Sequence, residues 1–448
     1  MLRLLVFSTF MLVLAALFGC ASPSAHIGRA VEVVPVKKAL NTYTLGNSAS
    51  VIVKDTGKGS PTAIQVWVSA GSSSDPDEKP GLAHFVEHLL FTGSLHVPPG
   101  KVEQYLESMG GELSGNTGRD YSYIGVTLPG AGWERAVDIL YDLVAYPSFR
   151  PEQVERQKKA VLLEVNQRER EPDNLLIDNL FEKAFKDHPY RRRITGTAAD
   201  VAGLTREDAA GYYTRTYIPS NLTLVVVGDV KPSAVKAVAE KTFGVLTAVE
   251  SRKPKAQPEA SQVYSRTKKV EGPVSLTYMA LGWHICSASD PDIYAMDVLR
   301  AVLGQGRGSR LYLELRERMS AVYDVDTDIY PLRDPGLMTI SAHLREEDVL
   351  RVTSETLRQV NKLKDELVSD EELQRAISSI AASVLLGTET AEGQAFALGY
   401  WDTVYGGGDP AEYMRNIQKV TPDDVQRVAQ KYLGEGNYTL SMIKPAGR

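Results

Sequence analysis

The sequence predicts an α+β fold built from two duplicated domains, and three observations carry that prediction. Runs rich in β-branched and aromatic residues alternate with segments of helical period along the chain. Short motifs of the first part recur in the second at nearly constant spacing. Between them, residues 247–268 shift to Ser, Arg, Lys, Pro, Glu and Gln, the composition of a linker. The domains are therefore expected at 42–246 and 269–448.

The recurrences are specific. Leu204-Thr205-Arg206-Glu207-Asp208 returns as Val420-Thr421-Pro422-Asp423-Asp424, and Asn221-Leu222-Thr223-Leu224 returns as Asn437-Tyr438-Thr439-Leu440, both at an offset of 216. Ser74-Asp75-Pro76-Asp77 returns as Ser289-Asp290-Pro291-Asp292 at an offset of 215. Agreement of the offsets at both ends of the unit argues against chance tetrapeptide matches.

In chain order, Thr42 to Lys54 reads as strand with a turn at Gly46-Asn47, and Ala63 to Ala70 as a β-rich run. Gly71 to Pro80 is a loop. Gly81 to Phe91 is a largely apolar helix. A second helix, Val102 to Met109, stops at Gly110-Gly111. Tyr121 to Leu128 alternates as a strand, and Trp133 to Ala145 is helical. Pro151 opens a long helix that ends near Arg170, where Pro172 is expected to stop it. Helices follow at Leu175 to Lys186 and Thr205 to Tyr217, and Leu222 to Val227 is a buried strand. In the second half, Tyr294 to Leu303 is a helix. Gly304-Gln305-Gly306-Arg307-Gly308-Ser309 follows it, so this glycine-rich run is a helix-to-helix turn and not a phosphate loop, which would follow a strand.

The chain has 448 residues and a formal net charge of −6, with no long basic stripe, which excludes nucleic acid as an expected partner. Residues 1–20 form a separate segment: Arg3, an uncharged apolar run, then Leu17-Phe18-Gly19-Cys20. This end resembles the lipobox of bacterial lipoproteins. The resemblance implies a cleaved signal peptide, a lipid anchor on Cys20, a tether over 21–41, and a place in the bacterial cell envelope, on the outer membrane facing the periplasm. The other cysteine, Cys286, lies in an apolar segment and is expected as a buried free thiol.

The chemistry concentrates on one helix. His84 and His88 stand four apart and share a face, and Glu87 borders it. Two imidazoles and a carboxylate there suit two ligands of a zinc ion and a general base for its water. Phe85, Leu89, Leu90 and Phe91 bury the helix, so the polar groups need partners. A catalytic zinc commonly takes three protein ligands. Glu164, directly after Ala160-Val161-Leu162-Leu163 on the long helix, is the best third candidate, ahead of Asp120, Glu152, Glu169 and Glu171 in more polar contexts. Adding 215 to His84, Glu87 and His88 lands on Leu299, Val302 and Leu303, so the second copy of this helix is chemically blank.

His84-Phe85-Val86-Glu87-His88 is the inverted zinc motif. With Glu164 after 75 intervening residues, it resembles the pitrilysin and insulysin family of zinc metallopeptidases. The likeness extends through His188-Pro189-Tyr190, Thr195-Gly196-Thr197, Tyr217-Ile218-Pro219-Ser220-Asn221 and Val227-Gly228-Asp229. It is strongest to the short two-domain type that includes the mitochondrial processing peptidase beta subunit. The resemblance implies that each domain is a mixed β-sheet packed with helices and that the chain is half of a clamshell. It also implies one zinc per chain, held by His84, His88 and Glu164, with Glu87 as the base.

The same resemblance implies that Arg316 and Tyr323 contact bound peptide, and that a substrate adds as a strand along Gly110 to Thr117, at Ser114, Gly115 and Asn116. Relatives commonly carry Asn-Ala where this chain has Ser114-Gly115, and often a glutamate where it has Gln157. Short members pair two chains around a chamber, so a homodimer, or a heterodimer with a zinc-less homologue, is expected; Arg316 and Tyr323 can then serve the partner chain's zinc. The expected activity is zinc-dependent endopeptidase cleavage of extended or unfolded peptides. The alternative is a non-catalytic assembly or partner subunit.

Overall fold

Leu222-Thr223-Leu224-Val225-Val226-Val227 carries apolar side chains to both faces of one strand, and a strand of that kind belongs in the middle of a sheet covered on both sides. In the computed structural model it is strand β6 (Leu222–Gly228), buried at every position. Residues 40–249 and 257–446 are described. The expected signal segment with Cys20, the tether up to residue 39, and 250–256 of the expected linker lie outside the described residues. Among the described residues, no helix is long and apolar enough to cross a membrane.

The first sheet contains β1 (Leu40–Thr44), β2 (Ser50–Asp55), β3 (Thr62–Val68), β4 (Glu112–Thr117), β5 (Ser122–Leu128) and β6, in the order β1-β2-β6-β3-β5-β4. The second contains β7 (Arg266–Gly272), β8 (Thr277–His284), β9 (Val322–Tyr330), β10 (Leu337–Leu344) and β11 (Tyr438–Pro445), in the order β7-β11-β8-β10-β9. Both sheets are mixed. β2 runs parallel to β6 and β7 parallel to β11, and the remaining pairs are antiparallel. Five strands of each sheet therefore match in order and sense, which is the duplication expected from the sequence.

The repeated motifs do the same work in both copies. Thr205 and Thr421 each cap a helix in a reciprocal box with the aspartate three residues on, Asp208 and Asp424. Asn221 and Asn437 each donate a side-chain N–H to a carbonyl five residues back, Thr216 O at 3.0 Å and Tyr432 O at 3.1 Å. These bonds close the turn from helix into central strand.

The halves exchange a helix. Pro172–Ala184, from the first half, lays Leu176 and Leu180 on Ala280 and Ile443 of the second sheet. Ala391–Tyr400, from the second half, lays Ala395 and Leu398 on Trp67, Val225 and Val227 of the first sheet. The opposite face of the first sheet, with Leu224 and Val226, packs on the helix Leu82–Leu90 and its neighbours. Each sheet thus buries one face against material supplied by the other half. A further tie is the β9–β10 turn: Arg333 N–H donates to Asp120 Oδ2 at 2.9 Å, and Asp334 N–H donates to the Tyr190 hydroxyl at 3.1 Å.

Some elements differ from expectation. Pro172 does not merely stop the long helix Pro151–Arg170; it occupies the first turn of the next one, where its missing N–H costs nothing. Tyr312–Arg318 is a π-helical turn, and β9 begins four residues after it. The stretch expected as linker enters β7 at Arg266, and before that Glu259 accepts backbone N–H bonds from Lys186, Asp187 and His188 at 2.9–3.1 Å.

Two consequences of the exchange can be measured. A Cβ at Gly399 would sit 2.1 Å from Cε2 of the fully buried Trp67. Gly399→Ala is expected to lower stability by about 1–3 kcal/mol in urea unfolding, despite the better helix propensity of alanine. At the other exchanged helix, His343 on β10 pairs with Asp173 at 2.8 Å. The bond to Asp173 raises the imidazole above its usual value, against the opposing effect of burial. This contribution is complete below the unfolded value of ~6.5 and is lost as pH rises through the higher folded value. The Asp173 side chain is 66% exposed, so screening keeps the gain below about 1 kcal/mol. His343→Gln should cost up to that amount near pH ~5.5 and nothing measurable near pH ~9.

Candidate metal centre

The helix Leu82–Leu90 is buried along nearly its whole length, because Leu82, Ala83, Phe85, Val86, Leu89 and Leu90 leave no polar side except that of His84, Glu87 and His88. Gly81 precedes it and offers no side-chain cap. Asp75 supplies one from six residues upstream: Oδ2 accepts from Gly81 N–H and Oδ1 from Ala83 N–H, both at 2.8 Å. Burial pushes the Asp75 carboxyl up to about 7, against these N–H donors and the Arg192 guanidinium. In the second copy, Asp290 accepts from Asp292 N–H at 2.8 Å at the start of the helix Asp292–Gly304.

The long helix Pro151–Arg170 crosses beside the ligand helix and brings Glu164 to the two rings. Glu164 Oε1 lies 3.3 Å from His84 Nε2, and Oε2 lies 3.2 Å from His88 Nε2. The three ligand atoms all lie within 4.8 Å of one another, and among the described residues this is the one such group able to hold a metal ion. Two ligands of a single tetrahedral ion with bonds of ~2.1 Å stand about 3.4 Å apart. The His–Glu separations fit that spacing, and two imidazoles with one carboxylate are a borderline donor set that zinc accepts.

Electrostatics bind the group together. Burial alone would raise Glu164, but the imidazoles of His84 and His88 reverse it and hold the carboxyl well below the usual range. Burial would lower His84, yet Glu164 and Glu87 push it above its usual value. Burial raises Glu87, against the opposing pull of His84, Thr117 and His88. Glu87 does not join the ligand group. Its Oε2 accepts a hydrogen bond from the Thr117 hydroxyl at the end of β4.

The weaker candidates for the third ligand are occupied or remote. Asp120 takes the Tyr190 hydroxyl and Arg333, Glu169 pairs with Arg193 at 2.8 Å, Glu171 accepts from Asn174 at 2.7 Å, and Glu152 is exposed in the first turn of the long helix.

Ser114, Gly115 and Asn116 lie on β4, which ends the sheet order and, among the described residues, pairs only with β5. A Cβ at Gly115 would stand 2.5 Å from the Phe91 ring and 2.9 Å from Glu87 Oε1. The edge strand therefore passes directly over Phe91 and Glu87, and the glycine is what lets it do so. Asn116 accepts from the Tyr121 hydroxyl at 3.1 Å. Gln157 lines a small cavity with Phe91, Glu103 and Arg156.

Arg316 and Tyr323 are not part of this cluster. Arg316 is exposed on the π-helical turn and donates to Val322 O at 2.9 Å; Tyr323 is exposed on β9. Among the described residues, neither makes a hydrogen bond or ion pair to His84, Glu87, His88 or Glu164. Thr117 and Asp75 are contributors that the sequence reading did not single out. The recurrence of Asp75 as Asp290 was the one available signal for it.

A family model described as insulinase (peptidase family M16) matches residues 50–198, and one described as the peptidase M16 inactive domain matches 203–380. The chain belongs to the insulinase family, peptidase family M16. The first match holds His84, Glu87, His88 and Glu164; the second holds Arg316 and Tyr323. This M16 chain is 27% identical over 414 residues to a probable mitochondrial-processing peptidase subunit beta of Arabidopsis thaliana, covering 90% of this chain and 78% of that one. It is 28% identical over 392 residues to an uncharacterized zinc protease of Mycobacterium tuberculosis, covering 86% of this chain and 88% of the relative. In fold it matches a protease from Helicobacter pylori with a TM-score of 0.85 at 22% identity, over 91% of this chain and 100% of the other.

The Asp75 cap gives a direct test. Asp75→Ala leaves two buried N–H groups at the start of the ligand helix without an acceptor. Urea unfolding is expected to show a loss of about 1–3 kcal/mol.

Proposed function

We propose that this M16 chain is a zinc-dependent endopeptidase acting on extended or unfolded peptides. The observation that carries the reading is the convergence of His84 Nε2, His88 Nε2 and Glu164 within 4.8 Å, with the Glu87 carboxylate one turn away beneath an open sheet edge. The relatives named as zinc proteases support zinc as the metal.

When bound, zinc supplies Lewis-acid polarisation of a carbonyl and acidifies water at the site. His84, His88 and Glu164 would hold it. The unpaired edge of β4 takes the peptide as an added strand, with main-chain groups of Ser114, Gly115 and Asn116 as partners. Glu87 accepts the proton of the attacking water and returns it to the leaving amine. Burial of Glu87 suits this, since a carboxylate of raised pKa is a stronger base.

The second half supplies substrate grip. Arg316 and Tyr323 are exposed donors, suited to peptide carbonyls and to developing negative charge. In a homodimer, or in a heterodimer with a homologue, they would serve the site of a second chain. The likeness to a mitochondrial-processing peptidase beta subunit supports that pairing. Leu17-Phe18-Gly19-Cys20 supports a lipid-anchored position in the bacterial envelope.

A second reading, a non-catalytic assembly subunit, draws on the match of 203–380 to an inactive-domain model. That match starts after Glu164, covers the end of the first half and much of the second, and leaves the four chemical residues outside it.

Purified protein loaded with zinc is expected to hold about one ion per chain and to lose peptide cleavage on chelation. Glu87→Gln should keep the ion and lower cleavage by about 10²–10⁴-fold. Glu164→Gln should bind zinc at least about 10-fold more weakly. Metal analysis and a peptide-library digest read all three. Wild-type protein that holds zinc and cuts no peptide, alone or paired, would favour the assembly subunit.

A further inference from the structure

Glu87 has two carboxylate oxygens, and the structure treats them differently. Oε2 takes the Thr117 hydroxyl. The Thr117 oxygen also lies 3.1 Å from the Ser122 hydroxyl, its partner across the β4–β5 register. With the Thr117 proton committed to the carboxylate, Ser122 must be the donor in that second bond. The result is a one-way chain from Ser122 to Thr117 to Glu87. Oε1 faces the other way, toward the β4 backbone at Gly115, where a Cβ would come within 2.9 Å of it.

The turn that carries this chain is fixed from three sides. Gly118 N–H donates to Tyr121 O at 2.8 Å and closes it. Ser72 N–H donates to Gly118 O at 3.0 Å and Ser73 N–H to Arg119 O at 2.8 Å, from the segment that leads into Asp75. From the second half, Arg333 N–H donates to Asp120 Oδ2 at 2.9 Å, and within the first half the Tyr190 hydroxyl donates to the same carboxylate at 2.7 Å. The segment 72–75 thus anchors both the ligand helix and the turn, so Thr117 and Glu87 are held in one frame.

We propose that Thr117 is a positioning residue for Glu87: its hydroxyl holds Oε2 so that Oε1 alone faces the edge of β4 as proton acceptor. The proposal rests on the reading of Glu87 as the base. Thr117 touches neither metal nor substrate in this role. Its removal should therefore disturb turnover and leave metal and peptide affinity in place.

Thr117→Val keeps the branched shape and removes the hydroxyl; Thr117→Ser keeps the hydroxyl. With zinc-loaded protein, Thr117→Val is expected to lower kcat for an extended peptide about 10–100-fold, the loss of one hydrogen bond to a charged group. KM and zinc stoichiometry should stay at wild-type values, and Thr117→Ser should recover most of the rate. A crystal structure of Thr117→Val, beside one of the wild type, should show the Glu87 carboxylate turned from its wild-type orientation. Wild-type kcat in Thr117→Val, loss of zinc in that variant, or an unmoved Glu87 would each overturn the proposal. If the wild-type protein cuts no peptide, the peptidase reading falls, and the orientation of Glu87 in the variant crystal still decides this one.

Discussion

The carboxylate of Asp75 holds the first turn of the ligand helix, and every group of chemical interest is placed relative to that helix. Leu82–Leu90 is short, lacks a side-chain cap of its own and is apolar on most of its surface. A helix of nine residues has little intrinsic stability, so packing and capping must hold it. Asp75 satisfies two of its first N–H groups, and the apolar side chains bury it against the first sheet. Once it is fixed there, His84 and Glu87 are buried and must be partnered. Glu164 and Thr117 provide those partners from two other elements. The atoms that meet here, His84 Nε2, His88 Nε2 and a Glu164 carboxylate oxygen, are the ones that would hold a metal ion.

The second half is chemically blank where the first is not, but it is not idle. It covers one face of the first sheet with Ala391–Tyr400, and it secures the β4–β5 turn through Arg333. In return the first half covers the second sheet with Pro172–Ala184. Neither sheet has both faces covered without the other half. Unfolding of one half would therefore expose apolar surface on the other, and the two are expected to lose structure together. A rigid mutual frame of this kind suits a site whose ligands come from two helices and whose base is oriented from a strand.

Much of this was legible from residues. His84, Glu87 and His88 sit at a spacing that only a helix converts into one face, and Glu164 follows an apolar run on the long helix, although of that helix only Val154, Val161 and Val165 are buried and Leu163 is exposed. The duplication was legible because its motifs are local: a capping box at Thr205 and Thr421, an asparagine turn at Asn221 and Asn437. What stayed hidden depends on contacts between residues far apart in sequence. The exchange of helices leaves no local period, since Leu176 and Leu180 read the same whichever sheet they cover. Strand β9 carries Asp324, Asp326 and Asp328, residues poor in strand propensity, and follows a π-helical turn. Thr117 looks like any strand threonine until the fold sets it against Glu87.

The central claim is that His84, His88 and Glu164 form one metal site. The most direct measurement is anomalous diffraction at the zinc edge from a crystal grown with zinc. One ion about 2.0–2.2 Å from His84 Nε2, His88 Nε2 and Glu164, with an open side toward β4, is the result expected. No anomalous peak between the two helices, or zinc bound elsewhere with the His–Glu ion pair intact, would contradict it.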